Sequence, residues 1–256
     1  MTRPLFTGTC TALVTPFHES GVDRKALAQF VDWQIAQGVD ALLACGTTGE
    51  PSTMTESEWA LTLETVLTQA GGRLPVIAGT GGNNTAHVIE QSKKAKALGA
   101  NAQLCVTPYY NKSSPAGLIA HYRAIADATD LPIIIYNVPS RTGLNLQPET
   151  LAALSEHKHI IAVKEASGDM IRLGDMMRLC EGRVDFYSGT DEVTVPLMSL
   201  GGLGVISVMS NVAPALTVQM TRLMLEGKVK EAAALQLRLY PLIHALFAEV
   251  NPIPVK

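Results

Sequence analysis

Charge is scarce in this sequence. Of its 256 residues only 17% are charged, against a norm of about 25% for soluble domains, and 20 Lys plus Arg face 23 Asp plus Glu for a net charge of −3. Without a cationic excess there is nothing to neutralise phosphates, so neither nucleic acid nor an anionic membrane surface is expected as a partner. A small soluble ligand is the better expectation. Long apolar runs are also missing: no stretch approaches 18 uninterrupted apolar residues, and the start, MTRPLFTGTC, has no sustained apolar region after its single Arg. A membrane span and a signal peptide are therefore not expected. The four cysteines (Cys10, Cys45, Cys105, Cys180) include no C-x-x-C pair, and three lie inside apolar runs. That pattern predicts reduced, packed thiols and a cytoplasmic location. Linkers, low-complexity tracts and like-charge blocks are absent as well.

What is present is an aliphatic chain, 47% hydrophobic with only 5% aromatic residues, and a regular alternation along it. Eight short β-rich apolar runs, at 9–14, 41–45, 75–79, 102–107, 132–137, 160–165, 184–188 and 204–208, are separated by longer segments of helical periodicity. Runs that are apolar on both faces, such as Ile133-Ile-Ile135, belong to a parallel sheet covered by helices. Eight units in about 225 residues favour a (β/α)8 TIM barrel over a doubly wound sheet. The dinucleotide fingerprint is missing too: Gly79-Thr-Gly-Gly-Asn-Asn84 and Gly201-Gly-Leu-Gly204 both fail G-x-G-x-x-G, and no Walker A sequence exists. Helical patterns at 213–225 and 229–250 follow the eighth strand. The expected division is a barrel over 1–226 and a C-terminal helical segment over 227–256. Thr55-Glu-Ser-Glu58 reads as a capping box.

Catalytic groups in such barrels sit at the carboxyl ends of strands. There Lys164 stands out, because the other nine lysines fall on helices or loops while this one ends a buried strand. Burial lowers an ammonium pKa; bringing it from about 10.4 to near 7 requires roughly 4 to 5 kcal/mol, within reach of desolvation. A neutral amine there is a nucleophile for carbonyls. The competing structural role is an ion pair with Glu165, which adjacent positions on a strand make awkward because they face opposite ways. Tyr136, closing the neighbouring strand, could shuttle protons or simply be half-buried core. Thr47 and Thr48, between Gly46 and Gly49, suit an anion nest or a plain glycine turn. Arg141 lies in a loop otherwise uncharged over 139–146, and could hold a carboxylate or stay solvated. His157-Lys-His159 opens the sixth strand, at the barrel's stability end, so it reads as a solvated turn, and no metal is expected.

These residues resemble the pyruvate-dependent class I aldolases typified by dihydrodipicolinate synthase, with N-acetylneuraminate lyase as a sister. The marks are Gly46-Thr-Thr-Gly-Glu50, Ile77-Ala-Gly-Thr-Gly81, Thr107-Pro-Tyr-Tyr-Asn111, Tyr136-Asn-Val-Pro-Ser-Arg-Thr-Gly143, Val163-Lys-Glu-Ala166, Gly204-Val-Ile-Ser207 and Asn251-Pro-Ile-Pro-Val-Lys256, in order across the chain. The resemblance implies that Lys164 forms a Schiff base with pyruvate, without a cofactor. It further implies a proton relay of Tyr136, Thr47 and Tyr110, the last lent by a neighbouring subunit of a homodimer or homotetramer. Thr48 would bind the pyruvate carboxylate, Arg141 the carboxyl group of L-aspartate 4-semialdehyde, and Gly189 and Ile206 would line the pocket. Arg141 favours the synthase of lysine and diaminopimelate biosynthesis over a lyase for N-acetylneuraminate or a 2-keto-3-deoxy-sugar-acid aldolase. The chain stops at Lys256, where family members usually continue, so the implied barrel carries a shortened C-terminal extension. A catalytically dead pyruvate-binding fragment is the competing class, and turnover discriminates. The resemblance also implies an effector site for lysine near Pro51, Ser52, Glu56, Trp59, Asn83, His87 and Tyr109. Sensitive bacterial members resemble one another in having His at the places of Glu56 and Trp59 and Glu at that of His87. With all three changed, weak or no inhibition is expected.

Overall fold

The computed structural model describes residues 4–256. Eight strands, β1 (Gly8–Ala12), β2 (Ala41–Ala44), β3 (Val76–Gly79), β4 (Ala102–Val106), β5 (Ile133–Asn137), β6 (Ile160–Glu165), β7 (Asp185–Ser188) and β8 (Gly204–Ser207), pair in parallel and close into a barrel, with β8 returning to β1 through Gly8–Gly204 to Thr11–Ser207. Each expected strand appears within two residues of its predicted ends. Along the strands side chains alternate between two packed regions. Cys10, Leu43, Ile77, Leu104, Ile134, Tyr136, Ala162, Tyr187 and Ile206 fill the barrel interior. Leu42, Ala44, Cys105, Ile133, Ile135, Val163 and Phe186 face outward into the helical layer. This is why both faces read as apolar in the sequence.

The helices are α1 (Arg24–Ala36), α2 (Glu56–Ala70), α3 (Thr85–Leu98), α4 (Pro115–Thr129), α5 (Pro139–Thr142), α6 (Pro148–Leu154), α7 (Met170–Cys180), α8 (Thr194–Ser199), α9 (Pro214–Leu225) and α10 (Val229–Leu246). The capping box forms as expected: the Thr55 hydroxyl accepts from the Glu58 N–H, and the Glu58 carboxylate accepts from the Thr55 N–H. Two features depart from the sequence reading. A two-stranded antiparallel ribbon, Phe17–His18 with Gly21–Val22, follows β1. The last helix ends at Leu246, not 250, and the chain beyond it runs in turns that bring Asn251 into a buried position. Pro252 and Pro254 keep the last residues out of a helix, since neither supplies the N–H that a helix through them would need. The inner face of α10, through Ala232, Leu235, Leu239, Ile243 and Leu246, packs with Met198 of α8 and Met220 and Met224 of α9.

All four cysteines are free and buried, in β1, at the end of β2, in β4 and at the end of α7. Among the described residues no helix is long and apolar enough to cross a membrane.

Candidate active site

Lys164 shares the strand parity of Ala162 and so enters the barrel interior, only 5% exposed, beside Tyr136 in the β5–β6 register. Its Nζ lies 4.4 Å from the centre of the Tyr136 ring. Glu165 takes the opposite parity and is occupied elsewhere: its carboxylate accepts from the Asn137 amide at 2.8 Å and from the Ser167 N–H at 2.6 Å. The ion pair that competed for Lys164 in the sequence does not form. Burial instead lowers the Lys164 pKa to about 8, with the Cys10 thiol and the Asp191 carboxylate opposing the shift and the Arg141 guanidinium adding to it. The fall stops short of the value near 7 expected from the sequence, because Asp191 holds part of the charge in place. Tyr136 moves the other way, pushed up to about 12 by burial, against the smaller pull of Arg141 and of the neighbouring Thr47 hydroxyl. At neutral pH the pair is therefore a partly neutral amine facing a fully protonated phenol.

The turn after β2 places both threonines on one side of the site. Residues Thr47–Gly49 form a single 3-10 turn entered from Cys45 at φ 56° and left through Glu50 at φ 62°. Thr48 is buried, and its hydroxyl accepts from the Asn251 side-chain amide at 3.0 Å. Arg141 sits on the one-turn helix α5 rather than in a loop, and donates through Nη2 to the Asn251 carbonyl at 3.0 Å. Gly189 follows β7 with its N–H bonded to the Glu165 carbonyl at 2.7 Å. A Cβ there would stand 2.7 Å from the Ala166 methyl and 3.1 Å from Lys164 Cε, so only glycine leaves room for the lysine stem. Ile206, fully buried in β8, packs with Tyr136 and Tyr187 in the barrel interior.

A cavity of about 540 Å3 beside this cluster is lined by Thr47, Tyr136, Val138 and Arg141 together with Ser52, Glu56, Trp59, Asn83, His87 and Tyr109, while Lys164 stays behind its wall. The residues of the expected effector site thus share one space with Thr47, Tyr136 and Arg141. Pro51 lines it as well. Trp59 is fixed there, its indole N–H donating to the Gly79 carbonyl at 3.1 Å, and Glu56 is engaged by Lys94 at 2.7 Å. Asn83 reaches the Tyr109 carbonyl at 3.3 Å. Tyr110 stands apart: it is 91% exposed, with a left-handed φ of 66°, and is not among the residues lining this cavity.

Residues 5–256 match the Dihydrodipicolinate synthetase family. The chain is 50% identical to the 4-hydroxy-tetrahydrodipicolinate synthase of Thermoanaerobacter sp. (strain X514) over 254 residues, 99% of this chain and 86% of that protein. It is 48% identical to the synthase of Clostridium tetani over 98% of this chain and 86% of the relative. The chain belongs to the dihydrodipicolinate synthetase family. Among solved structures, the Aquifex aeolicus dihydrodipicolinate synthase superposes with a TM-score of 0.95 at 42% identity, covering 98% of this chain and 86% of that one. The chloride-inhibited Acinetobacter baumannii enzyme, solved in complex with pyruvate, gives 0.95 at 43% identity over 97% and 86%.

Two residues of this family member escaped the sequence argument. Asp191 is buried beyond β7, its carboxylate accepting from the Ser207 hydroxyl at 2.6 Å and from the N–H groups of Val208 and Met209 at 3.1 and 2.9 Å. Burial raises its pKa and these three bonds lower it. The second is Asn251, in contact with Thr48 across 203 residues of sequence and with Arg141 across 110. Asn251 opens one of the family marks, so its position was visible and its chemistry was not; Asp191 lies three residues past the seventh predicted strand, where no local signal marks it. The two histidines at the far end of the barrel pair with Asp127 and Asp130. Their rings are partly shielded and lie 3.1 and 3.3 Å from those carboxylates, unlike a freely solvated turn.

Proposed function

We propose that Lys164 is the Schiff-base nucleophile of a 4-hydroxy-tetrahydrodipicolinate synthase, which condenses pyruvate with L-aspartate 4-semialdehyde in lysine and diaminopimelate biosynthesis. The observation that carries this is the placement of a buried amine, its pKa lowered to about 8, against a protonated phenol at the mouth of the barrel. The neutral Lys164 amine adds to the pyruvate ketone, and loss of water leaves an iminium. With the iminium as electron sink, a methyl proton leaves to give the enamine, Tyr136 and Thr47 passing the proton on. The enamine carbon bonds to the aldehyde carbon of the semialdehyde, whose oxygen takes up a proton. The product's own amine then displaces Lys164 by transimination, closing the ring and freeing the lysine.

In this reading Thr48 holds the pyruvate carboxylate, Arg141 the carboxylate of the semialdehyde, and Gly189 and Ile206 shape the pocket. The exposure of Tyr110 supports its completing the proton relay of a second copy in a homodimer or larger assembly, since its ring is left uncovered in its own chain. Incubation with pyruvate and borohydride tests the core of the proposal. A stable adduct mapped to Lys164 alone is expected; an unmodified Lys164, or label spread over surface lysines, overturns it.

A further inference from the structure

We infer that Asn251 is a positioning residue that serves the two carboxylate-binding arms separately, its side chain setting the Thr48 hydroxyl and its main chain setting Arg141. The inference rests on the pyruvate and semialdehyde reading above. Asn251 is 6% exposed and lies beyond the barrel, in the turns after α10. Its amide Nδ2 donates to Thr48 Oγ1 at 3.0 Å, and its carbonyl accepts from Arg141 Nη2 at 3.0 Å.

The chemistry lies in what a hydroxyl has left to give. A threonine hydroxyl carries one proton and two lone pairs. Among the described residues Asn251 is the sole hydrogen-bond partner of the Thr48 side chain, and it takes a lone pair. The proton is thereby left for an outside acceptor, which is what a bound carboxylate supplies. A purely structural threonine in a turn would spend that proton on a nearby backbone carbonyl, as Thr53 does on Glu50. The amide itself is not there to complete a packing network either, because Asn251 Oδ1 is buried with no partner. Orphaned polar atoms of that kind are uncommon in settled interiors.

Two arms on one residue predict a split. Replacing the side chain removes the Thr48 contact and leaves the main-chain acceptor of Arg141 in place. Asn251→Ala should raise the half-saturating pyruvate concentration for borohydride trapping roughly 5- to 10-fold, the loss of about one neutral hydrogen bond. The KM for the semialdehyde should stay within about two-fold. In a Thr48→Val background the same change should add almost nothing, since the group it acts through is gone. Asn251→Asp, equal in size but offering an acceptor in place of the donor, should weaken pyruvate more than alanine does; it also covers the case in which the alanine protein does not fold. An unmoved pyruvate dependence in both variants, a parallel rise in both KM values, or full additivity with Thr48→Val would each overturn the inference. Failure of the wild-type protein to trap pyruvate would instead sink the functional reading beneath it.

Discussion

Lys164 shows how far single-residue chemistry reaches. Its burial was legible because it ends an apolar strand, and its pKa was not, because the opposing carboxylate of Asp191 comes from another strand end. A value of about 8 makes a definite statement about pH. Below it the amine is protonated and cannot attack, so the initial rate of imine formation should climb about ten-fold between pH 6 and 7 and level off above about pH 9. Stopped trapping with borohydride across that range measures it, and a flat profile would contradict the assignment. Arg141 tests the second substrate. Its guanidinium is exposed and tethered by a main-chain carbonyl, free to meet an anion. Arg141→Ala removes a charge-assisted contact of about 2 to 3 kcal/mol, so kcat/KM for the semialdehyde should fall roughly 30- to 150-fold. The pyruvate adduct should persist. Faster cleavage of N-acetylneuraminate than condensation of the semialdehyde by the wild type would shift the substrate assignment to the sister enzymes.

Strands and helices were easier to read than the turns that join them to the site. The eight strands announce themselves because both of their faces are buried, and α2 because its capping box is local. The single-turn helices after β2, β5, β7 and β8 carry no such signal: three or four residues show no periodicity, and what fixes them is bonding to distant groups, as Asp191 fixes the turn after β8. The same holds for the clamp between β5 and β6. Asn137 donates to the Glu165 carboxylate and to Asn145 Oδ1, while its own Oδ1 accepts from the Leu146 N–H at 3.0 Å. This clamp holds the ends of the two strands that present Tyr136 and Lys164. Asn137→Ala strips one donor from a buried carboxylate and orphans the Leu146 N–H, a loss of about 2 to 4 kcal/mol. The midpoint of thermal unfolding should drop by roughly 5 to 15 °C. A shift of under about 2 °C would show that water or a neighbour replaces the amide without cost.

At the scale of the whole molecule, the barrel binds its chemistry together except at Tyr110. A tyrosine that is 91% exposed at a left-handed φ is a poor candidate for packing within one chain and a good one for reaching into another. If it completes a second copy's relay, neither Tyr110→Phe nor Lys164→Ala homodimers should turn over normally, while a mixed dimer of the two should regain one working site. Activity of the mixture above the sum of its parts, assayed after subunit exchange, is the expected result. No recovery would place Tyr110 outside the mechanism. The buried cysteines carry a consequence of a different kind. Burial pushes every one of the four thiols up, Cys105 to about 12, so none offers a thiolate to reagents while its surroundings stay closed. They sit at separate stations around the ring, in β1, after β2, in β4 and at the end of α7. Each is therefore a stopwatch for its own sector, and the order in which the four become alkylated under mild denaturant would trace where the barrel first comes apart.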